Sequence, residues 1–148
     1  MRVEFVKIED KGRRMVRWDA VRNRGIKVPG TLMGVGRTDT LPHDLGQYVI
    51  EAATAYPNGF WGLLAKGATY KTTGRKRTKP GRAIIASHRD DLLESEQLAA
   101  RHLTQWHAGA TTPVTEALAR AQQQWVALQT DQRIAFDWPS PVGTVEPR

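Results

Sequence analysis

Four polar residues set along one segment, His43, Asp44, Gln47 and Glu51 in LPHDLGQYVIEAA (41–53), have the clearest potential for chemistry in this chain. Two imidazoles at positions i and i+4 of a helix point at one ion, and a glutamate between them acts as general base in zinc helices of the HExxH kind. The frame here is His43-Asp44-Leu45-Gly46-Gln47. Asp44 takes the place of that glutamate with a shorter reach, and Gln47 puts a neutral amide where the second imidazole would stand. Glu51 lies eight residues beyond His43, which on a helix separates their Cα atoms by about 12 Å. The weak metal candidates are therefore His43, Asp44 and Glu51, and a metal-dependent hydrolase built on this degenerate HDxxQ helix would need a ligand from elsewhere. The preferred reading is that His43, Asp44 and Gln47 hydrogen-bond the helix start and the loop before it, tying the hairpin to the helix, as polar clusters often do. No catalytic residue, metal or cofactor is expected.

The second candidate is electrostatic. KTTGRKRTKPGR (71–82) carries Lys71, Arg75, Lys76, Arg77, Lys79 and Arg82 and no carboxylate, in a chain of net charge +7. Such a run can neutralise nucleic-acid phosphates and bind without sequence specificity. Gly74, Pro80 and Gly81 argue against a stable helix, so 71–82 is expected as a mobile basic loop. Tyr70 is its one aromatic neighbour, and exposure of Phe60 or Trp61 would strengthen the nucleic-acid reading. No GxSxG elbow or P-loop is present, TLMGVGRTD lacking the G-K-[ST] ending, and His102 and His107 are five apart and form no i, i+4 pair.

LPHDLGQYVIE at 41–51 and GFWG at 59–62, together with MRVEF at the start, resemble a group of short, uncharacterised bacterial proteins that carry an LPHDLVHFVVE-type segment followed by a GFWG-type segment. The resemblance covers roughly the first half of the chain. It makes His43, Asp44 and Glu51 the matched polar positions, with Gln47 departing from a histidine, and it implies no established activity.

The elements that must position these residues follow from periodicity. VEFVKIE and MVRWDAV, joined by the polar turn DKGRR, read as a β-hairpin that buries Val16, Trp18 and Ala20 on one face. Glycine and proline between 23 and 36 predict loop, with a short strand at IKV. The 41–56 segment reads as a helix capped by Thr40 and stopped by Pro57, with Leu45, Tyr48, Val49, Ala52 and Tyr56 on one face and His43, Asp44, Gln47 and Glu51 opposite. Ile50 on the polar arc suggests partial cover there. NGFWGLLAKGATY favours a short helix, and AIIAS a short strand. Ser87 and Asp90 have the form of a capping box for a helix ending near Gly109, with Leu92, Ala99, Leu103 and Trp106 inward. Thr112-Pro113 opens another helix, in which Val114, Ala117, Leu118, Ala121, Trp125 and Leu128 recur every three or four residues. RIAFDW adds a strand, and PSPVGTVEPR is expected to be a frayed tail.

The predicted class is α+β: an N-terminal β-hairpin or small antiparallel sheet packed by a helix, followed by a C-terminal antiparallel helical hairpin. The expected organisation is one domain over 1–138 and a flexible tail over 139–148. Without cysteine or an apolar span the chain reads as soluble and cytoplasmic. The expected function is non-enzymatic binding of nucleic acid or another polyanion. The alternatives are the metal-dependent hydrolase above, or a protein-interaction module using the helical hairpin, with a protein partner or a second copy.

Overall fold

The alternation of the first twenty residues becomes a hairpin. In a computed structural model, which describes residues 1–30, 33–34, 40–73 and 76–148, β1 (Arg2–Asp10) pairs antiparallel with β2 (Arg13–Val21) through a turn at Lys11 and Gly12, both at positive φ. That primed geometry matches the twist of the two strands. β3 (Lys27–Pro29) and the two-residue β4 (Met33–Gly34) add to β2, while β5 (Gln132–Asp137) adds to the other edge of β1 and β6 (Thr144–Pro147) to β5. The sheet order is β3-β2-β1-β5-β6, all antiparallel, and the molecule is α+β.

One face of the sheet is apolar because Val3, Phe5, Val16, Trp18, Ala20, Val28, Ile134 and Phe136 all point the same way. Helices α1 (His43–Ala53), α2 (Phe60–Ala65) and α5 (Pro113–Ala127) add Leu45, Tyr48, Val49, Trp61, Leu64, Leu118, Ala121 and Trp125 to the same core. The opposite face mixes charged positions with Val6, Ile8 and Ala135. Arg2 meets Glu4 and Glu146 at 2.8 and 2.5 Å, and Arg133 meets the same two carboxylates at 3.2 Å each. At the far end of β1, Lys7 Nζ donates to the carbonyls of Val126 and Leu128, closing the C-terminus of α5. α5 opens as predicted, with Thr112 and Thr115 forming a reciprocal capping box ahead of Pro113.

Several expectations are corrected. Residues 79–82 are not loop, and AIIAS is not a strand: both belong to α3 (Lys79–Ser87), capped by the Thr78 hydroxyl, which accepts from Gly81 N at 3.0 Å. Pro80 and Gly81 sit in the first turn, where a missing N–H costs nothing. Ser87 caps no helix; its hydroxyl returns to the Ala83 carbonyl, and α4 (Arg89–His107) begins after His88. Thr40 does not cap α1, whose N-cap position is Pro42. Residues 144–147, read as tail, form β6. The candidate Arg75, with Gly74 and most of 31–39, lies outside the described residues.

Candidate functional site: an aromatic cavity beside a basic segment

α1 carries the four polar residues of the opening segment, and the structure sends them in different directions. Asp44, in the first turn, accepts the indole N–H of Trp18 on Oδ2 at 3.0 Å, and its Oδ1 lies 3.1 Å from His43 Nδ1. That hydrogen bond holds the His43 pKa above its ordinary value despite burial acting the other way. The His43 side chain is nonetheless 70% exposed. Glu51 is fully buried. Its Oε1 accepts the backbone N–H of Trp61 at 3.0 Å and its Oε2 accepts from Gln47 Nε2 at 3.0 Å. Burial pushes this carboxyl up to about 7, against the pull of Gln47 and the backbone N–H groups of Trp61, Phe60 and Gly62.

Those bonds tie LPHDLGQYVIE (41–51) to GFWG (59–62). Glu51 acts as the cap for α2, whose N-cap residue Gly59 makes no side-chain bond of its own. A Cβ on Gly59 would collide with the Glu51 carboxylate, and one on Gly62 would collide with the Pro57 carbonyl. GFWG is thus shaped to meet the carboxylate. Among the described residues no three His, Asp or Glu side chains converge as a metal donor set, and Asp44 and Glu51 are already engaged by Trp18 and Trp61. His88, a further candidate donor, lies 2.8 Å from Asp91 at the start of α4.

Between β2, α1, α2, α3 and α4 lies a cavity of about 420 Å³. Its apolar wall is Trp18, Phe60, Trp61, Tyr70, Ile85 and Leu92, and its polar atoms come from His43, Asp44, Gln47, Thr72, Ser95 and Glu96. The volume and the mixture of aromatic wall with a few polar groups are those of a small-ligand site. The wall is preorganised: Phe60 and Tyr70 stack at 4.3 Å and 21°, the Tyr70 hydroxyl donates to the Phe60 carbonyl at 3.0 Å, and Trp18 meets the Phe60 and Trp61 rings edge-on. Trp61 is fully buried, so it is no open stacking platform, whereas Phe60 and Tyr70 are only partly buried. Trp61 Nε1 has no hydrogen-bond partner among the described residues.

Compared with family models, curated proteins and solved structures, the chain matches none. The chemistry must be read from the site alone.

Two residues of the basic segment adjoin this cavity through their chain neighbours. Lys71 stands between the lining residues Tyr70 and Thr72, and α3, which begins at Lys79, contributes Ile85 one turn after Arg82. Lys71, Lys76, Lys79 and Arg82 are exposed. Arg77 differs: its Nε donates to the Thr69 carbonyl at 3.1 Å and pins the segment to the body of the protein. His43, Asp44 and Gln47 stood out in the sequence for other reasons, whereas Ile85, Leu92, Ser95 and Glu96 were not read as cavity residues, since nothing local distinguishes them from other residues of a half-buried helix. For Trp18 a signal existed: a buried indole N–H needs an acceptor.

Proposed function

We propose that this chain is a cytoplasmic, non-enzymatic binding protein for nucleic acid or a similar polyanion. The observation that carries the reading is an aromatic cavity whose lining residues Tyr70, Thr72 and Ile85 are adjoined along the chain by exposed Lys71 and Arg82, in a segment that also exposes Lys76 and Lys79 and holds no carboxylate. Exposed lysines neutralise phosphates and release their counterions, and the neighbouring rings supply surface that bases can stack against. Membership of the bacterial group with LPHDLVHFVVE-type and GFWG-type segments belongs to the same proposal, supported by the way Glu51 joins the two segments here. A metal-dependent reaction at His43 is less favoured, because Asp44 and Glu51 are taken up by structural hydrogen bonds. No helix among the described residues is long and apolar enough to cross a membrane.

The test is a binding titration with generic single-stranded DNA or RNA at several salt concentrations. Affinity should fall linearly on a logarithmic salt axis, and changing Lys71, Lys76, Lys79 and Arg82 together to alanine should flatten that slope by roughly 0.7 for each phosphate no longer neutralised. Absence of binding at low salt removes the proposal.

A further inference from the structure

We propose that the cavity admits one unstacked base of a single strand while the strand's phosphates remain outside on the basic segment; this rests on the polyanion reading above and adds to it a single-strand, base-dependent mode. Among the described residues the lining holds two carboxylate side chains, Asp44 and Glu96, and no lysine or arginine. An anionic phosphate is repelled from such an interior. Exposed Lys71 and Arg82 adjoin lining residues along the chain, and Lys76 and Lys79 are exposed in the same segment, so a nucleotide is oriented with its phosphate outward and its neutral base inward.

The interior suits a base. The partly buried Phe60 and Tyr70 rings stack on one another and both line the cavity, and the buried Trp18 and Trp61 rings back them. Every nucleobase has a π-face that such a wall can take. The polar lining is rich in acceptors: the Glu96 carboxylate, the Gln47 amide and the Thr72 and Ser95 hydroxyls. The Ser95 hydroxyl donates to the Leu92 carbonyl at 2.7 Å and is fully buried, so the open acceptors are those of Glu96, Gln47 and Thr72. Amino and ring N–H groups on a base edge are donors that match this set. The Trp61 Nε1–H, buried and without a partner among the described residues, belongs to the same wall. A duplex cannot use the cavity, since its bases are paired and stacked away from reach.

The experiment compares three probes on the whole protein: a short single-stranded DNA oligomer, an abasic strand of equal length, and inorganic polyphosphate. Binding is followed by anisotropy for the labelled strands, by competition for polyphosphate, and by tryptophan fluorescence. The oligomer should bind about tenfold or more tightly than the abasic strand, the scale of one stacked base, and should alone perturb the tryptophan signal. Thr72→Trp, at an exposed position, should block the cavity and lower oligomer affinity toward that of the abasic strand. Ile85→Trp narrows the same cavity from α3 and serves if the first variant does not fold. Equal binding of oligomer and abasic strand, or oligomer binding indifferent to a folded blocking variant, overturns the base-insertion proposal and leaves phosphate binding standing. Failure of all three probes to bind overturns the underlying polyanion reading.

Discussion

The carboxylate of Glu51 lies 3.0 Å from the backbone nitrogen of Trp61, ten residues away on the next helix, and both residues are fully buried. Two helices and the core tryptophan are thereby held through a single side chain. Removing the acceptor strands the N–H groups at the start of α2 and the Gln47 amide in the interior. Glu51→Ala should cost about 2 to 4 kcal/mol in chemical denaturation, whereas Glu51→Gln, which keeps an acceptor for Trp61, should cost less than half of that.

The same carboxyl makes stability depend on pH in an unusual direction. Its folded-state pKa of about 7 stands above the ordinary 4.5. The native state therefore holds this proton more tightly than the unfolded chain does. The contribution is fully present below about 4.5, declines as pH rises, and is gone above about 7; by linkage it is on the order of 3 kcal/mol. His43, whose pKa is also raised, adds a smaller change of the same sign, lost as pH climbs through its folded value. Denaturation of the natural protein and of Glu51→Gln across pH 4.5 to 8 should show the slope flattening in the variant; an unchanged slope would show that Glu51 is not its source.

Gly59 and Gly62 differ in what a methyl group would strike. At Gly59 it meets the end of the Glu51 side chain, and at Gly62 it meets the backbone carbonyl of Pro57. A side chain can yield where a backbone cannot. Gly62→Ala should therefore destabilise more than Gly59→Ala, each in the range of about 1 to 3 kcal/mol, and Gly59→Ala should be partly rescued by shortening its partner with Glu51→Asp.

The Asp44 carboxylate has one important partner and one minor one. Trp18 is buried and its N–H has Asp44 as acceptor, while His43 is largely in water. A double-mutant cycle between Trp18→Phe and Asp44→Ala should yield a coupling of about 1 to 2 kcal/mol. His43→Ala should cost less than about 1 kcal/mol, since an exposed pair of this kind contributes little.

What the sequence made legible was local. The strict alternation around Val16, Trp18 and Ala20 gave the hairpin, the three-and-four spacing from Val114 to Leu128 gave α5, and Thr112-Pro113 gave its start. The failures share one cause. Pro80 and Gly81 break a helix interior but are welcome in a first turn, and only the Thr78 cap tells the two situations apart. Thr144 to Pro147 became a strand because β5 offered an edge, which no local pattern records. Glu51 looked like one more member of a polar arc; its burial depends on a helix that begins nine residues later. The cavity draws on five elements, and its α3 and α4 residues, Ile85, Leu92, Ser95 and Glu96, carry no spacing that links them to Trp18.

The position of β1 has a consequence for synthesis. The strand precedes the other strands in the chain yet sits in the middle of the sheet, with Val3 pairing Ala20 on one side and Phe136 on the other. During translation the hairpin can form as soon as it clears the ribosome, but the second edge of β1 and its row of unpaired N–H and C=O groups must wait for residues 132–137. Until then the nascent chain exposes an open strand edge and half of an aromatic core, the condition under which chains associate wrongly. Closure of such long-range pairing is slow. The burden of staying soluble in that interval falls on the charged outer face, where Arg2 and Glu4 stand ready before Arg133 and Glu146 arrive to complete their ladder.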